Sequence, residues 1–291
     1  MTANFKKEYT SMKLNLNAFA LFFSLIIVFF LNSIHANSVN DRISNGEIDR
    51  YLIYSSTDSV DPVETSLSSL IEIFEKKGYD IKKLIEDPRF KIYDGISDRF
   101  KKSAERKIEH IDDYKRVLGF DAKKAEIFNF IDENSDQLQN AEETYGISKY
   151  VIAAIIGIES DFGKNIGSFN PFNAYVSMYV ENYRADFAEA QLLELLEFSK
   201  KNKIDILDLK SSYAGAMSYA QFIPYSLNKW FVGSDIFDMD NNIMSIGNYL
   251  AYFMERTGTI EKSVFRYNPS SLYTEAVLQL AGEAEEMFTD S

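Results

Sequence analysis

The chain has 291 residues, no cysteine and two histidines, and its 44 acidic residues outnumber 31 basic ones to give a net charge of −13. Disulfides, thiolate nucleophiles, thiolate zinc sites and a lipid-anchored cysteine are excluded, and a nucleic-acid partner held by its phosphates is disfavoured. Carboxylates are therefore the leading candidates for acid–base chemistry.

The amino-terminal region has the pattern of an export signal. Lys6, Lys7 and Lys13 precede the apolar run Ala18–Leu31, whose 14 residues are fewer than the roughly 20 that span a bilayer. We expect residues 1–36 to be a signal peptide, or an uncleaved anchor that tethers the exported protein to the inner membrane. Without cysteine the protein is not a lipoprotein.

The remainder is predicted to be mainly α-helical. Residues 37–63 are polar and form a leader or linker, and residues 64–291 form a single helical unit with no convincing strand pattern. Apolar residues recur at spacings of three and four, bounded by glycine and proline signals, and predict these helices: Val63–Lys77, Ile81–Ile85, Lys102–Val117, Ala122–Tyr145, Ser148–Ser160, Arg184–Lys201, Ile223–Trp230, Asn242–Arg256 and Ser271–Met287.

The predicted helix Ser148–Ser160 is apolar on nearly all faces and should be buried, with Ser148 as its N-cap and Gly146 ending the preceding helix. Glu159 stands at its far end. The helix dipole and an apolar environment both disfavour the ionised carboxylate there, so we expect a raised pKa, which suits a general acid. The alternative is that Glu159 is the first solvated residue after a buried helix.

Three segments carry a family resemblance. Tyr145–Gly163 has the sequence YGISKYVIAAIIGIESDFG, Ser211–Pro224 has SSYAGAMSYAQFIP, and Tyr267–Tyr273 has YNPSSLY. In this order they resemble signatures of the membrane-bound lytic transglycosylase B family of peptidoglycan-cleaving enzymes, and the resemblance runs from about Ser66 to Leu280. It implies a lysozyme-like core at about residues 141–233 with helices packed around it.

The resemblance also implies site residues. Glu159 matches the catalytic acid, and Tyr114, Tyr249, Tyr267 and Tyr273 match tyrosines of the cleft. The positions that match the sugar-binding groove are Ser212, Met217, Gln221, Phe222 and Asn268. Core packing is an equally good interpretation of Met217 and Phe222, whereas the amides of Gln221 and Asn268 favour hydrogen bonding to amino sugars.

Three features depart from the family pattern. Ser218 stands where the family usually has glycine. Asp235, Asp238 and Asp240 lack the central glycine and closing acid of a calcium loop, so we predict no metal and no other cofactor. Tyr249 and Tyr267 are 18 residues apart, so the strand-containing insertion common in the family should be largely absent.

The implied activity is cleavage of the β-1,4 bond between N-acetylmuramic acid and N-acetylglucosamine with formation of a 1,6-anhydro product. Glu159 would act as acid and then as base. Asp161 would point elsewhere if the helix continued through it. The alternatives are a lysozyme-type muramidase and a catalytically silent murein-binding envelope protein. The expected partner is the peptidoglycan glycan strand, and the protein is expected to be monomeric and periplasmic.

Overall fold

The computed structural model describes residues 61–102 and 108–289. The predicted signal peptide, and all but the last three residues of the predicted leader, lie outside these ranges. No helix within them is long and apolar enough to cross a bilayer.

The described residues fold into α-helices joined by turns and loops, with isolated bridges but no extended strand. A 3-10 turn covers Ile206–Asp208. In chain order the helices are α1 Pro62–Lys76, α2 Lys82–Ile85, α3 Ile96–Lys102, α4 Ile111–Leu118, α5 Phe120–Glu133, α6 Ser135–Tyr145, α7 Lys149–Ser160, α8 Pro171–Val180, α9 Ala185–Asn202, α10 Pro224–Trp230, α11 Met239–Thr257, α12 Ile260–Tyr267 and α13 Ser271–Thr289.

Most predicted helices are confirmed, but two are wrong in their continuity. The predicted helix Lys102–Val117 is interrupted, since residues 108–110 are not helical and α4 begins only at Ile111. The predicted helix Ala122–Tyr145 is divided at Asn134, whose side-chain amide donates 2.8 Å to the carbonyl of Phe130. An asparagine that bonds to the backbone in this way competes with helix continuation.

Three helices were not predicted. In α8 nearly every residue is buried, so its sequence has no polar face from which a helical period could be recognised. The signal that was present is local: Asn170 accepts from the amide of Asn173 as N-cap, and Pro171 occupies the first turn. The other two are short: α3 spans only Ile96–Lys102 and α12 only Ile260–Tyr267.

Helix α7 lies at the centre of the fold and packs against α5, α6, α11 and α13. Its residues from Val151 to Gly157 are all buried, as its apolar sequence predicts. Gly146 ends α6 in a left-handed conformation, as expected. Ser148 occupies the N-cap position, as predicted, but its side chain makes no cap bond, and Glu142 accepts from the Lys149 amide at 3.2 Å instead.

A turn-rich loop, residues 211–222, lies between the 3-10 turn and α10 in the chain. Short antiparallel bridges pair Phe169 with Ser211, Ser211 with Met217, and Met217 with Phe222. The loop is anchored at Gly215, whose carbonyl accepts from the Tyr175 hydroxyl at 3.1 Å. A Cβ on Gly215 would come within 2.3 Å of the Tyr175 ring, so only glycine fits there.

Helix α3 is capped from another element. The Glu181 carboxylate accepts from the amides of Ile96 at 3.0 Å and Ser97 at 2.7 Å, and Phe100 of this helix packs against Tyr213 in the 211–222 loop. Partial burial would raise the pKa of Glu181, but the hydrogen bonds from Ser97 and Ile96 outweigh it and lower the pKa below its usual 4.5.

We expect Glu181→Gln to lower the free energy of unfolding by about 1 kcal/mol at pH 7, the usual cost of losing a helix cap. Because the folded pKa is depressed, this contribution is complete above the ordinary pKa of 4.5 and is lost as pH falls through the lower folded value. Urea unfolding at pH 7 and pH 3 measures both. A difference between variant and wild type that is unchanged at pH 3 would contradict the assignment.

Candidate active site

Glu159 and Tyr273 are brought together at the end of α7. The Tyr273 hydroxyl, on α13, donates to Glu159 Oε1 at 2.7 Å. The carboxylate is partly exposed, whereas Tyr273 is buried. The predicted catalytic acid is therefore bound by a buried phenol, and the residue that carries it is not fully buried.

The environment keeps the Tyr273 phenol protonated. Burial raises its pKa well above the usual value, and the negative charge of Glu159 raises it further. Tyr114 of α4 is buried close by and acts in the same direction on the Tyr273 pKa. The phenol is therefore set to donate a hydrogen bond to Glu159, as the geometry shows.

Tyr249, Tyr267 and Phe222 form an aromatic cluster beneath the 211–222 loop. The ring centroids of Tyr249 and Tyr267 are 4.9 Å apart, and Phe222 lies 5.7 and 5.5 Å from them. The Tyr267 hydroxyl donates to the Ala220 carbonyl, and the Tyr249 hydroxyl donates to the Arg266 carbonyl at 2.6 Å. These contacts support the loop and the start of the YNPSSLY segment.

Ser212 and Gln221 lie on the loop itself. The Ser212 hydroxyl accepts from the Ala216 amide at 3.2 Å, which closes the first turn of the loop. The Gln221 side-chain amide donates 2.9 Å to the Ser218 carbonyl and closes the second. Both side chains remain partly exposed.

Exposure divides the predicted site residues into two groups. Glu159, Ser212 and Gln221 are partly exposed and can be reached by a ligand directly. The others are buried beneath them: Tyr114, Met217, Phe222, Tyr249, Tyr267, Asn268 and Tyr273. For Met217 and Phe222 the burial agrees with the core-packing interpretation that the sequence left open.

Asn242 of α11 was missed by the sequence reasoning. It is fully buried; its Oδ1 accepts from the Ala220 amide at 3.0 Å, and its Nδ2 donates to the carbonyls of Ile236 and Asp238 at 2.9 and 2.7 Å. Because Tyr267 bonds to the Ala220 carbonyl, the backbone of Ala220 is held at both its amide and its carbonyl. The sequence did contain a signal for it: Asn242 lies on the same buried face of the helix as Ile246 and Tyr249, at spacings of four and three.

Two buried polar atoms near the loop find no hydrogen-bond partner among the described residues. They are Oγ of Ser218 and Oδ1 of Asn268. Ser218 also has φ +70°, a left-handed conformation that disfavours a side chain. The replacement of the usual glycine therefore carries a conformational cost and a desolvation cost together.

We expect Ser218→Gly to raise the free energy of unfolding by about 1–2 kcal/mol, since it removes left-handed strain and an unsatisfied hydroxyl, less the entropy of a new glycine. Ser218→Ala is the matched control, because it removes only the hydroxyl and should stabilise less. Chemical denaturation compares the three proteins. A less stable glycine variant would mean that the hydroxyl has a binding partner.

Asp161 does not lie on a continued helix, so the reason given for its orientation was wrong. Helix α7 ends at Ser160, and Asp161 is left-handed with φ 53°. Its Oδ1 accepts from the Lys123 ammonium of α5 at 3.0 Å. The carboxylate nearest to Glu159 in the sequence is therefore engaged in an ion pair.

The three aspartates considered for calcium have local structural roles where contacts are seen. Asp238 Oδ1 accepts from the Asn241 amide at 2.8 Å and caps α11. Asp235 Oδ1 accepts from the Phe237 amide at 2.9 Å. Within residues 61–102 and 108–289 no group of three or more acidic or histidine side chains is arranged to hold a metal ion.

A family model described as the transglycosylase SLT domain matches residues 65–259. The chain belongs to the transglycosylase SLT domain family. The family match includes Glu159, Tyr114, Tyr249 and the 211–222 loop, whereas the YNPSSLY segment lies beyond it. Membrane-bound lytic murein transglycosylase B of Escherichia coli (strain K12) is 31% identical over 129 residues, which cover 43% of this chain and 36% of that protein. The chain thus aligns with about a third of that relative's length.

Solved structures of this group share the fold. The soluble lytic transglycosylase SltB1 of Pseudomonas aeruginosa superposes with a TM-score of 0.69 at 23% identity, covering 77% of this chain and 99% of that one. SltB3 of the same organism, solved with NAG-anhNAM-pentapeptide, has a TM-score of 0.66 at 18% identity, covering 75% and 78%. The Escherichia coli lytic transglycosylase solved with bulgecin A has a TM-score of 0.66 at 18% identity, covering 80% and 95%. The prediction of a mainly α, lysozyme-like transglycosylase fold is confirmed.

Proposed function

We propose that this SLT-domain protein is a peptidoglycan lytic transglycosylase that cleaves the bond between N-acetylmuramic acid and N-acetylglucosamine and leaves a 1,6-anhydro end. The observation that carries the proposal is the partly exposed Glu159 carboxylate at the end of a buried helix, hydrogen-bonded by the buried Tyr273 phenol. Family membership and the NAG-anhNAM-pentapeptide complex of the related SltB3 support it.

The chemistry requires one residue in two roles. Protonated Glu159 would give its proton to the glycosidic oxygen as the bond breaks, and the substrate's N-acetyl group would stabilise the positive charge at C1. The resulting carboxylate would remove the proton from the muramic acid C6 hydroxyl, whose oxygen then closes on C1. Because the nucleophile is part of the substrate, no second protein carboxylate is needed to activate water.

The Tyr273 hydroxyl would have two effects in this cycle. It orients the carboxyl group, and it stabilises the ionised form that follows the first proton transfer. Ser212 and Gln221 are the exposed polar groups of the loop and would contact the hydroxyl and N-acetyl groups of the sugars. The buried tyrosines would keep the loop and Glu159 in fixed positions relative to each other beneath the glycan.

The same proposal includes the organisation of the chain. Residues 1–36 would direct export, residues 37–63 would act as a leader, and residues 64–291 would form one catalytic unit that acts as a monomer in the periplasm. The membrane-bound name of the Escherichia coli relative is consistent with an envelope location. An inner-membrane tether would result if the amino-terminal segment were retained.

The proposal is tested by incubating purified residues 37–291 with murein sacculi and measuring the soluble muropeptides by mass spectrometry. We expect products that end in 1,6-anhydro-N-acetylmuramic acid. A muramidase would give reducing ends heavier by one water, and a silent binding protein would sediment with the sacculi without releasing products. Either result would replace the proposed function.

A further inference from the structure

Lys123 is the one charged residue that is buried within the part of the chain described by the structure. Its side chain is 8% exposed, and its ammonium donates 3.0 Å to Oδ1 of Asp161, which is 50% exposed. A buried ammonium without a partner is strongly unfavourable. The position of Asp161 is thus linked to the buried ammonium of Lys123 on α5. The proposed chemistry makes no direct use of either residue.

The backbone that follows Glu159 needs such a link. Asp161 and Phe162 are both left-handed, with φ 53° and 57°, which is unfavourable for residues with a side chain. Contacts on the other side of this turn are apolar: the Phe162 ring packs on Gly157, where a Cβ would lie 2.6 Å from its Cζ, and lies 5.1 Å from the ring of Phe130. The Lys123–Asp161 pair adds a charged restraint to the same turn, and its ammonium is buried.

The charges at this helix end also require compensation. The carboxyl end of a helix carries partial negative charge, and Glu159 and Asp161 add two carboxyl groups within three residues. Helix α5 places the Lys123 ammonium at this end of α7, where it pairs with Asp161. A second lysine, Lys164, pairs with Glu126 at 2.7 Å, but both of those side chains are about half exposed, so solvent screens them.

We propose that the Lys123–Asp161 ion pair is a positioning device for Glu159. It holds the left-handed turn that ends α7, so that the Glu159 carboxyl group stays against the Tyr273 hydroxyl. Neither residue touches substrate in this role. The inference deepens the proposed function and rests on it for its kinetic consequences, whereas its structural consequence can be measured without turnover.

The kinetic test is Lys123→Met, which keeps the volume of the buried chain and removes the charge. We expect kcat on solubilised glycan strands to fall about ten- to a hundredfold, as for a misplaced catalytic group, with KM changed less than twofold. Lys123→Arg should recover most of the rate. Lys164→Met is the matched control, because it removes one positive charge from the same turn, and its kcat should stay within twofold of wild type.

The structural test is the ¹³Cζ resonance of Tyr273 in tyrosine-labelled protein, assigned with Tyr273→Phe. Lys123→Met should move this resonance towards its position in Glu159→Gln, and Lys164→Met should leave it in place. Should Lys123→Met fail to fold, Asp161→Gly takes its place, because glycine accepts the left-handed backbone while the carboxylate is lost. An unmoved resonance in the folded variant, or an equal effect of Lys164→Met, overturns the inference.

These readouts separate the two proposals. If wild-type protein releases no muropeptides, the proposed function fails, and the Tyr273 resonance still decides whether the ion pair positions Glu159. If wild type is active and Lys123→Met has normal kcat and an unmoved resonance, the positioning role fails alone.

Discussion

Glu159→Gln should abolish release of muropeptides from murein sacculi, with a loss of at least about 10²–10⁴-fold, the range attributed to a positioned general acid or base. Glutamine cannot donate an acidic proton or accept one afterwards, so both halves of the proposed cycle fail. Its amide oxygen can still accept from the Tyr273 hydroxyl that bonds to Glu159 Oε1 at 2.7 Å. The fold should therefore be preserved.

The measurement combines a sacculus digest with thermal unfolding of the same preparation. Glu143→Gln is the matched control, since Glu143 is exposed on α6 and accepts from Gln139 one turn earlier; this variant should keep wild-type activity. Tyr273→Phe should have an intermediate rate, because the acid remains but its hydrogen bond is lost. Wild-type turnover by Glu159→Gln would show that another group supplies the proton.

The position of Glu159 could be predicted from the sequence because the information is local. The run from Val151 to Gly157 has no polar residue, so the helix has to be buried, and a carboxylate at its end has to emerge at the edge of the core. The three family motifs, found in the family's order, then identified Tyr273 as a tyrosine of the cleft. The hydrogen bond between Glu159 and Tyr273 joins residues 114 positions apart, and only the family resemblance brought them together in advance.

The roles of the buried residues could not be predicted in the same way. Family motifs place Tyr249 and Tyr267 in the cleft, but they do not say that these hydroxyls are bonded to backbone carbonyls beneath it. The pairing of Lys123 with Asp161 depends on how α5 packs against α7, and no periodicity encodes it. Helix α8 was missed for a related reason, since a helix buried on all sides has no amphipathic signature.

The buried Asn242 links the packing of the helices to the shape of the loop. It holds the Ala220 amide from α11, while Tyr267 holds the Ala220 carbonyl from the end of α12. The peptide between Ser218 and Gln221 is thereby fixed to two helices that meet beneath the loop. A change at Asn242 should therefore affect stability and the geometry of the cleft together.

We expect Asn242→Ala to lower the free energy of unfolding by about 3 kcal/mol, because it leaves the Ala220 amide and the Ile236 carbonyl without their side-chain partner. The Asp238 carbonyl loses one of its two bonds and keeps the one from the backbone amide of residue 242. Turnover of the protein that remains folded should fall about tenfold as the loop moves. Asn241→Ala is the control: this neighbour is partly exposed, and its side-chain amide donates to one carbonyl, that of Asp235, so a cost below about 1 kcal/mol is expected. Urea unfolding and a sacculus digest measure both variants. Equal costs at the two positions would mean that the Ala220 peptide does not depend on α11.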